Sequence, residues 1–236
     1  MDEGSELLKA LQPQDRELLL PKLSEVRLET GRLLFDPGDV VDYCYFPIGS
    51  AVASYFVLLD TGVIVETLMV GREGALGGIV SNRSLPAYAR SVVMHGGSFY
   101  RIAVSELDRI KHASPTVRAL FSRYADCLLA QVFQSIACNA IHTIDQRAAK
   151  WLIAATERIG RNDITMTQEQ LASMMGIGRS YASRVVQKFK ADGLVRTRRG
   201  GIEVTAPGEL KERACECNEL VKRHFGRVLA GVYPTI

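Results

Sequence analysis

A short segment of the chain carries side chains suited to reading the edges of nucleic-acid bases. Arg184 can donate two hydrogen bonds to the O6 and N7 atoms of guanine, and Ser183 can donate or accept one. At about 100° per residue, a helix places Ser180, Ser183, Arg184 and Gln187 on one side. This polar side is therefore predicted to face a DNA groove.

The other side of the same predicted helix is apolar. It comprises Tyr181, Ala182, Val185, Val186 and Phe189. Apolar residues that recur with helical periodicity normally pack against the interior of a domain. We therefore expect all five side chains to be buried beneath the polar face.

A second helix is predicted immediately before this one. Thr167 and Gln170 have the spacing of a capping box, in which each side chain bonds the backbone N–H of the other residue. Gly176 can adopt the left-handed conformation that ends a helix, so the chain should turn and restart near Arg179. Two short helices joined by a glycine turn are typical of a helix-turn-helix motif.

A basic hairpin is predicted after the two helices. The run LVRTRRGGIEV reads as two short strands joined at Arg199, Gly200 and Gly201. Residues 164–204 carry seven lysines and arginines against three acids, a net charge of +4. Such a local excess of positive charge favours binding to DNA phosphates. The segment therefore predicts a winged helix-turn-helix that binds DNA.

The first 114 residues have a different pattern. After an amphipathic helical entry at residues 5–23, short apolar runs alternate with glycine and aspartate turns, and residues 1–114 carry a net charge of −4. Regularly spaced short strands favour a small antiparallel β-roll. An acidic roll joined to a basic helix-turn-helix predicts an α+β protein with two separate tasks.

A long helix is predicted between these two parts. No glycine and no further proline occurs between Pro115 and His142, so the helix would be about 40 Å long. Because it is apolar on more than one side, we expect it to pack on its own roll and on a twin helix in a second chain. A single core helix in a monomer is the alternative. The predicted dimer contacts are Phe121, Leu128, Val132 and Ile136.

The five cysteines include no CxxC pair, which favours reduced thiols over a disulfide framework. Cys127 and Cys138 lie eleven residues apart, on nearly the same face of the long helix. A redox-sensing regulator that pairs them with their twins is therefore an alternative function. Cys215 and Cys217 are placed in one helix, where an i, i+2 pair points to opposite sides. We predict no metal and no cofactor, with a metal site that includes His224 as the alternative.

The sequence argues against a membrane protein and against an enzyme. It has neither a charged leader before an apolar run nor a stretch of about 18 uncharged apolar residues, so a cytoplasmic location is expected. It also lacks a nucleophile elbow, an HExxH pair and a P-loop lysine motif. The alternative to a regulator within the binding proteins is an architectural or non-specific nucleic-acid binder that uses the same basic segment.

Four segments of the chain match the motifs of one protein family. They are PGD at 37–39, REGALGG at 72–78, TIDQRAAKWL at 143–152 and TQEQLASMMGIGRSYASRV at 167–185. Together they resemble the catabolite activator and fumarate-nitrate regulator (CRP/FNR) family of bacterial transcription regulators. The resemblance implies a cyclic-nucleotide-binding-like jelly roll, a dimerisation helix and a C-terminal winged helix-turn-helix. The corresponding limits are 1–114, 115–142 and 143–236.

The resemblance also implies partners and contacts. It implies a homodimer that binds two-fold symmetric double-stranded DNA and that contacts RNA polymerase if it is an activator. Ser180 departs from the family, which frequently has a glutamate there to accept from a cytosine amino group, so the operator of the best-known members is not expected. The predicted DNA contacts are Thr167, Gln168, Arg179, Ser180, Ser183, Arg184, Gln187, Lys188, Arg196, Arg198 and Arg199.

The ligand pocket departs further from the family. Cyclic-nucleotide binders have a glutamate for the ribose hydroxyl where this chain has Gly78, and hydroxyl residues for the base where it has Val132 and Phe133. An arginine and a serine match the phosphate-binding pair. Cyclic AMP is therefore disfavoured, and any effector is an unknown small molecule. The residues matched to the pocket are Gly77, Gly78, Arg90, Ser91, Val132 and Phe133.

Overall fold

The computed structural model describes residues 4–80 and 85–230. The chain begins with helices α1 (Glu6–Lys9) and α2 (Pro13–Leu19), followed by a 3-10 turn at Leu20–Lys22. A proline at the first position of α2 allows the helix to begin there, because that position needs no N–H donor. The predicted amphipathic entry therefore forms in two short pieces.

Two antiparallel sheets form the β-roll that the short apolar runs predict. Its strands are β1 (Ser24–Leu28), β2 (Leu33–Phe35), β3 (Tyr43–Pro47), β4 (Val52–Leu58), β5 (Ile64–Val70), β6 (Arg90–His95) and β7 (Gly97–Ala103). One sheet has the order β1-β7-β3 and the other β2-β6-β4-β5. Leu76, Val93 and Phe99 are fully buried in a cluster within the roll.

The long helix forms almost as predicted. Helix α3 (Val104–Ala113) leads into α4 (Pro115–Ile141), which has 27 residues and is capped by Ser114. The Tyr124 hydroxyl on α4 donates to the Ala75 carbonyl at 3.0 Å and accepts from the Ala75 N–H at 2.9 Å. This pair of bonds ties α4 to the roll segment that follows β5.

The C-terminal part combines helices with a small three-stranded sheet. Its elements are α5 (Ile144–Ile159), β8 (Asp163–Ile164), α6 (Gln168–Met175), α7 (Arg179–Ala191), β9 (Val195–Arg198), β10 (Gly201–Val204), α8 (Pro207–Arg213) and α9 (Cys217–Ala230). The sheet order is β8-β10-β9, and the β9–β10 hairpin is the wing. The α+β fold of roll, long helix and winged helix-turn-helix is confirmed in the predicted order.

The roll and the C-terminal part share one hydrophobic core. Ala148 and Leu152 of α5 belong to the same cluster as Phe56 and Met69 of the roll, and this cluster continues to Phe189 of α7. The domain limits at residues 114 and 142 stay a prediction, since the core crosses the second of them. No helix in the described part of the chain combines the length and apolarity needed to cross a membrane.

Helix α9 packs back along α4, a contact that the sequence pattern does not predict. The rings of Tyr124 and Phe225 meet edge-on with centroids 6.4 Å apart. Arg123 donates to the Val228 carbonyl at 3.1 Å. One side of the long helix is therefore covered by the chain's own C-terminal helix.

Two side chains predicted to face a second chain instead face the chain's own core. Phe121 is buried, with its ring centroid 6.3 Å from that of Phe46 in β3. Leu128 is half-buried against the same cluster. Both lie on the side of α4 that packs on the roll. The prediction of a dimer contact is therefore wrong for Phe121, which is buried, and stays a prediction for Leu128.

An apolar stripe on the opposite side of α4 is exposed. Leu129, Phe133 and Ile136 are 50%, 61% and 62% exposed, and Val132 beside them is half-buried. Spacings of four and three residues keep such side chains on one seam of a helix. Of the predicted dimer contacts, Val132 and Ile136 therefore lie where a second chain can cover them.

Candidate nucleic-acid interface

Three local contacts define the start and end of α6. The Thr167 hydroxyl accepts from the Gln170 N–H at 3.1 Å, and the Gln170 side-chain oxygen accepts from the Thr167 N–H at 2.8 Å. Gly176 ends the helix with a φ of 63°, in the left-handed region that glycine adopts without strain. Arg147 of α5 donates to the Met175 carbonyl at 3.0 Å. The predicted capping box and glycine turn are confirmed.

Four of the five apolar residues predicted for the inner side of α7 are buried. They are Ala182, Val185, Val186 and Phe189. The prediction for Tyr181 is wrong, because its side chain is 43% exposed. At about 100° per residue, Tyr181 lies at the border of the buried arc. A phenol can cover apolar neighbours there and keep its hydroxyl in water.

Tyr181 supports the side chain of Arg184. The guanidinium carbon of Arg184 lies 5.0 Å from the centroid of the Tyr181 ring. A spacing of three residues on one helix brings such side chains together, and the cation–π contact restricts the flexible arginine. Arg184 is therefore partly ordered before any DNA binds. The i, i+3 spacing is the sequence signal that could have revealed this pair.

The outer face of α7 is polar and open to solvent. Ser180, Arg184 and Gln187 are exposed, and Ser183 is half-buried. These residues span an arc of about 100° opposite the buried side chains. Arg179 is exposed at the start of the helix, where no side chain caps the first N–H groups. Open N–H groups at a helix N-terminus bind phosphate oxygens readily.

Three further residues predicted to contact DNA already contact other parts of the protein or are half-buried. Lys188 forms an ion pair with Asp145 of α5. The Thr167 hydroxyl is the acceptor of the helix cap, and Gln168 beside it is half-buried. The charge of Lys188 is partly compensated, so we expect less phosphate binding from it than the sequence predicts.

The three arginines of the wing have different surroundings. Arg198 forms an ion pair with Asp163 of β8 through two hydrogen bonds, of which the Nε–Oδ1 bond is 2.7 Å long. Arg196 lies 3.9 Å from the Glu203 carboxylate. Among the described residues, Arg199 at the hairpin tip forms no ion pair. The tip arginine is therefore the wing cation best placed to meet a phosphate.

Comparison with known proteins places this segment in a family. Residues 146–213 match the model of the Crp-like helix-turn-helix domain. The transcriptional regulatory protein btr of Bordetella pertussis is 22% identical over 182 residues, which cover 72% of this chain and 73% of that protein. The chain therefore contains a Crp-like helix-turn-helix domain, and the comparisons support its resemblance to CRP/FNR regulators. It is a transcription regulator with a DNA-binding helix-turn-helix, as the resemblance predicts.

Solved CRP/FNR structures share the whole fold. A transcriptional regulator of the family from Eubacterium rectale has a TM-score of 0.68 and 18% identity, over 88% of this chain and 97% of that one. FixK2 from Bradyrhizobium japonicum has a TM-score of 0.68 and 14% identity, over 82% of this chain and 98% of that one. The likeness therefore extends beyond the helix-turn-helix to the roll and the long helix.

The residues matched to the CRP/FNR effector pocket have other contacts in this chain. Arg90 donates two hydrogen bonds to Asp36, each 2.8 Å long. Ser91 is buried on β6. Val132 and Phe133 lie on α4, where Phe133 is on the exposed side. An arginine paired in this way is less available to a ligand phosphate.

The site of the family's pocket glutamate has no room for a side chain. A β-carbon at Gly78 would lie 2.4 Å from the Cγ2 atom of Val104. The Lys111 ammonium donates to the Gly78 carbonyl at 3.3 Å, which holds the backbone there. This close packing supports the prediction that the roll does not bind cyclic AMP in the way that the family's nucleotide binders do.

Polar contacts dock the winged helix-turn-helix on the roll. The indole N–H of Trp151 in α5 donates to Glu66 of β5 at 2.5 Å. The Ser173 hydroxyl of α6 donates to the Ile64 carbonyl at 2.8 Å. Burial raises the pKa of the Glu66 carboxyl to about 7, against the lowering effect of the Trp151 hydrogen bond. A group that titrates near neutral pH therefore lies at this boundary.

We expect the packing of the winged helix-turn-helix on the roll to become less stable as the pH rises through about 7. The folded pKa of Glu66 lies above its ordinary value of 4.5. Its protonated form therefore contributes stability that is complete below that ordinary value and is lost as the pH rises through the folded pKa. Trp151 is the single tryptophan of the chain, so its fluorescence in a pH titration reports the change.

Glu66→Gln should abolish the fluorescence transition near pH 7, because an amide does not ionise. Glu73→Gln is the matched control, since Glu73 pairs with Arg158 across the same boundary at 2.7 Å. A transition that persists unchanged in Glu66→Gln would assign it to another group.

Proposed function

We propose that this regulator binds a two-fold symmetric DNA sequence as a homodimer and controls transcription from it. The outer face of α7 is the observation that carries the proposal. Arg184 stacks on the Tyr181 ring there, and Ser180 and Gln187 beside it are exposed. The opposite side of the helix is buried. Such a helix can enter the major groove and keep its inner side covered.

The chemistry of this face favours direct readout of bases. Arg184 can bond guanine O6 and N7 together, and Gln187 can bond adenine N6 and N7 in the same paired way. Ser180 is short and can donate or accept, so it sets a weaker preference than a glutamate would. We therefore expect an operator that differs from those of family members with a glutamate at this position.

Phosphate contacts are assigned to the edges of the interface. The first turn of α7 offers N–H groups beside Arg179. Arg199 at the wing tip adds a positive charge that has no ion-pair partner among the described residues. These contacts position the protein on DNA of any sequence, while the α7 face selects the operator.

A second copy of the chain is the partner that the exposed α4 stripe fits. Leu129, Phe133 and Ile136 present an apolar seam along a helix that already packs on its own roll and on α9. Two chains joined along α4 would bring two recognition helices to half-sites about 34–36 Å apart, which is one turn of DNA. The homodimer and the symmetric operator therefore follow from one interface.

The roll is proposed as a sensor for an effector other than cyclic AMP, or as a degenerate domain. Crowding at Gly78 and the Arg90–Asp36 pair argue against the family's mode of nucleotide binding. An apolar Val132 and Phe133 replace hydroxyl groups on α4. Any effector of this pocket should therefore be more apolar than a nucleotide.

Selection from a pool of random duplexes tests the proposed function. The purified protein should enrich an inverted repeat whose half-sites are separated by about 10–10.5 base pairs. Enrichment of no sequence at all would contradict sequence-specific regulation and favour an architectural binder. Enrichment of a single, unrepeated half-site would contradict the homodimer.

We expect Arg199→Ala to weaken binding to selected and scrambled duplexes by the same factor. A phosphate contact carries no sequence information, so its loss should also reduce the slope of log affinity against log salt by about one unit. Fluorescence anisotropy over a salt series measures both quantities. Arg198→Ala is the control with a smaller expected effect, because Asp163 already compensates Arg198. A loss confined to the selected duplex would instead make Arg199 a base contact.

A further inference from the structure

Four potential metal ligands meet where the long helix ends. Cys138 and His142 come from the last turn and the C-cap of α4, and Cys215 and Cys217 come from the junction of α8 and α9. One sulfur or nitrogen atom from each residue lies within 4.8 Å of the other three. The three cysteines are buried and form a separate cluster of their own.

The break between α8 and α9 brings together two cysteines that the sequence pattern separates. Cys215 and Cys217 are predicted to lie in one helix, where they would point to opposite sides. Helix α8 ends at Arg213 and α9 begins at Cys217, so Cys215 has a non-helical backbone. Both sulfur atoms can therefore face α4. The predicted alternative ligand, His224, is not part of the cluster.

The role considered for Cys127 and Cys138 is also corrected. They do lie on similar faces of α4, but that face is turned inward, and both side chains are buried within the chain. Cys138 meets Cys215 of its own chain at 3.6 Å. Neither sulfur is placed to meet its twin across a dimer axis.

We propose that Cys138, His142, Cys215 and Cys217 bind one structural Zn²⁺ ion. Zinc bonds to sulfur at about 2.3 Å and to histidine nitrogen at about 2.0–2.1 Å, so tetrahedral ligand atoms lie about 3.5–3.8 Å apart. The Cys138–Cys215 sulfur distance is 3.6 Å, and the Cys217 sulfur lies 3.5 Å from His142 Nδ1. These two edges match a tetrahedral ion, and the remaining pairs of ligand atoms lie within 4.8 Å of one another.

The donor set selects the kind of metal. Three thiolates and one imidazole are a ligand set of structural zinc sites, and soft sulfur donors disfavour magnesium and calcium. A four-iron cluster would insert a cube of iron and sulfide between its ligands. Ligand atoms that all lie within 4.8 Å of one another enclose a single ion instead.

Two neighbouring donors stabilise the charge of the thiolates. The Lys150 ammonium donates to the Cys138 sulfur at 3.4 Å, and the Gln134 amide donates to the Cys217 sulfur at 3.2 Å. Three thiolates on a divalent ion leave one negative charge, which Lys150 balances. Groups of this kind around the ligands tune metal affinity.

The position of the ion indicates a structural role. It would join the C-terminal end of α4 to the start of α9, next to the point where the chain enters α5. All four ligands come from the protein, so the site is closed and does not resemble a catalytic zinc centre with an open position. Metal binding should therefore stabilise the fold and hold the winged domain at the end of the long helix.

Metal content is the first measurement, and it requires no DNA. Protein expressed with zinc in the medium should retain one Zn²⁺ per chain after dialysis against a weak chelator. Cobalt substituted for zinc should give the intense visible bands of a tetrahedral thiolate site. Iron with acid-labile sulfide, a Cys138–Cys215 disulfide in freshly purified protein, or no bound metal would each overturn the proposal.

Variants assign the metal to these residues. Cys217→Ser and His142→Ala should lose the ion on dialysis, whereas Cys127→Ala, which changes a buried cysteine outside the cluster, should retain it. His142→Cys should keep tetrahedral cobalt and increase its sulfur-to-metal charge-transfer absorption, which a misfolded variant would not do. Lys150→Ala should weaken zinc binding about 10–100-fold. Equal metal retention by Cys217→Ser and Cys127→Ala would refute the assignment.

Discussion

Phe133→Glu should produce a monomer that binds the symmetric operator at least about 100-fold more weakly than the wild type. Phe133 lies at the centre of the exposed α4 stripe, between Leu129 and Ile136, and is 61% exposed in the single chain. A carboxylate there would be buried against its twin in the proposed dimer, where like charges repel and lose their hydration. Each half-site would then be bound by a separate monomer, without the affinity gained when two helix-turn-helix domains are linked.

Sedimentation velocity and operator binding of the same preparation check this expectation. Leu59→Glu is the matched control, because Leu59 is also an exposed apolar residue but lies on the roll hairpin after β4. It should leave the dimer intact. Phe133→Glu is preferable to a charge at Leu128, whose side chain packs on the chain's own core. A dimer of Phe133→Glu with unchanged stability would place the interface elsewhere.

Arg184→Ala should cost about 1–3 kcal/mol on the selected operator and much less on a scrambled duplex. The reason is its position on the exposed face of α7, where Tyr181 orders the guanidinium at 5.0 Å. Loss of a paired contact to guanine should also relax the preference at one base position in each half-site. A competition assay over operators with every base at that position measures the relaxation.

Lys190→Ala is the matched control for Arg184→Ala. It removes one positive charge from an exposed residue in the last turn of the same helix. The substitution should weaken binding to both duplexes slightly and equally, because Lys190 lies at the opposite end of α7 from Ser180 and Arg184. If Arg184→Ala weakens both duplexes equally, Arg184 is a phosphate contact and the assignment of α7 as the base reader is wrong.

Features set by neighbours in sequence were predictable. The capping boxes at Thr143 and Thr167 each form both of their hydrogen bonds, because they depend on residues three positions apart. The glycine turn at Gly176 and the two-strand wing are local in the same sense. The helix-turn-helix and the outer face of α7 could therefore be predicted from the sequence alone.

Features set by distant parts of the chain were not predictable. Phe121 and Leu128 are apolar like Phe133, and the sequence alone does not show which side of α4 the roll covers. We expect a smaller phosphate contribution from Arg198, because Asp163, 35 residues earlier, reaches it from the other edge strand of the wing sheet. Such pairings depend on the tertiary fold, which periodicity does not report.

The four potential metal ligands are the clearest case of this limit. Cys138 and Cys215 are separated by 77 residues, and their meeting requires both the return of α9 along α4 and the break before Cys217. Neither feature has a strong local signal, since no glycine or proline marks the break. Helical periodicity continued through residues 214–216 would have separated the ligands.

The mass of the protein–DNA complex is the most direct test of the central claim. Native mass spectrometry of the protein on its selected duplex should detect two chains per duplex, and a duplex that contains a single half-site should bind the same dimer more weakly. A scrambled duplex of the same length should release the protein at lower salt. One chain on the full operator, or equal complexes on selected and scrambled duplexes, would contradict a homodimeric, sequence-specific regulator.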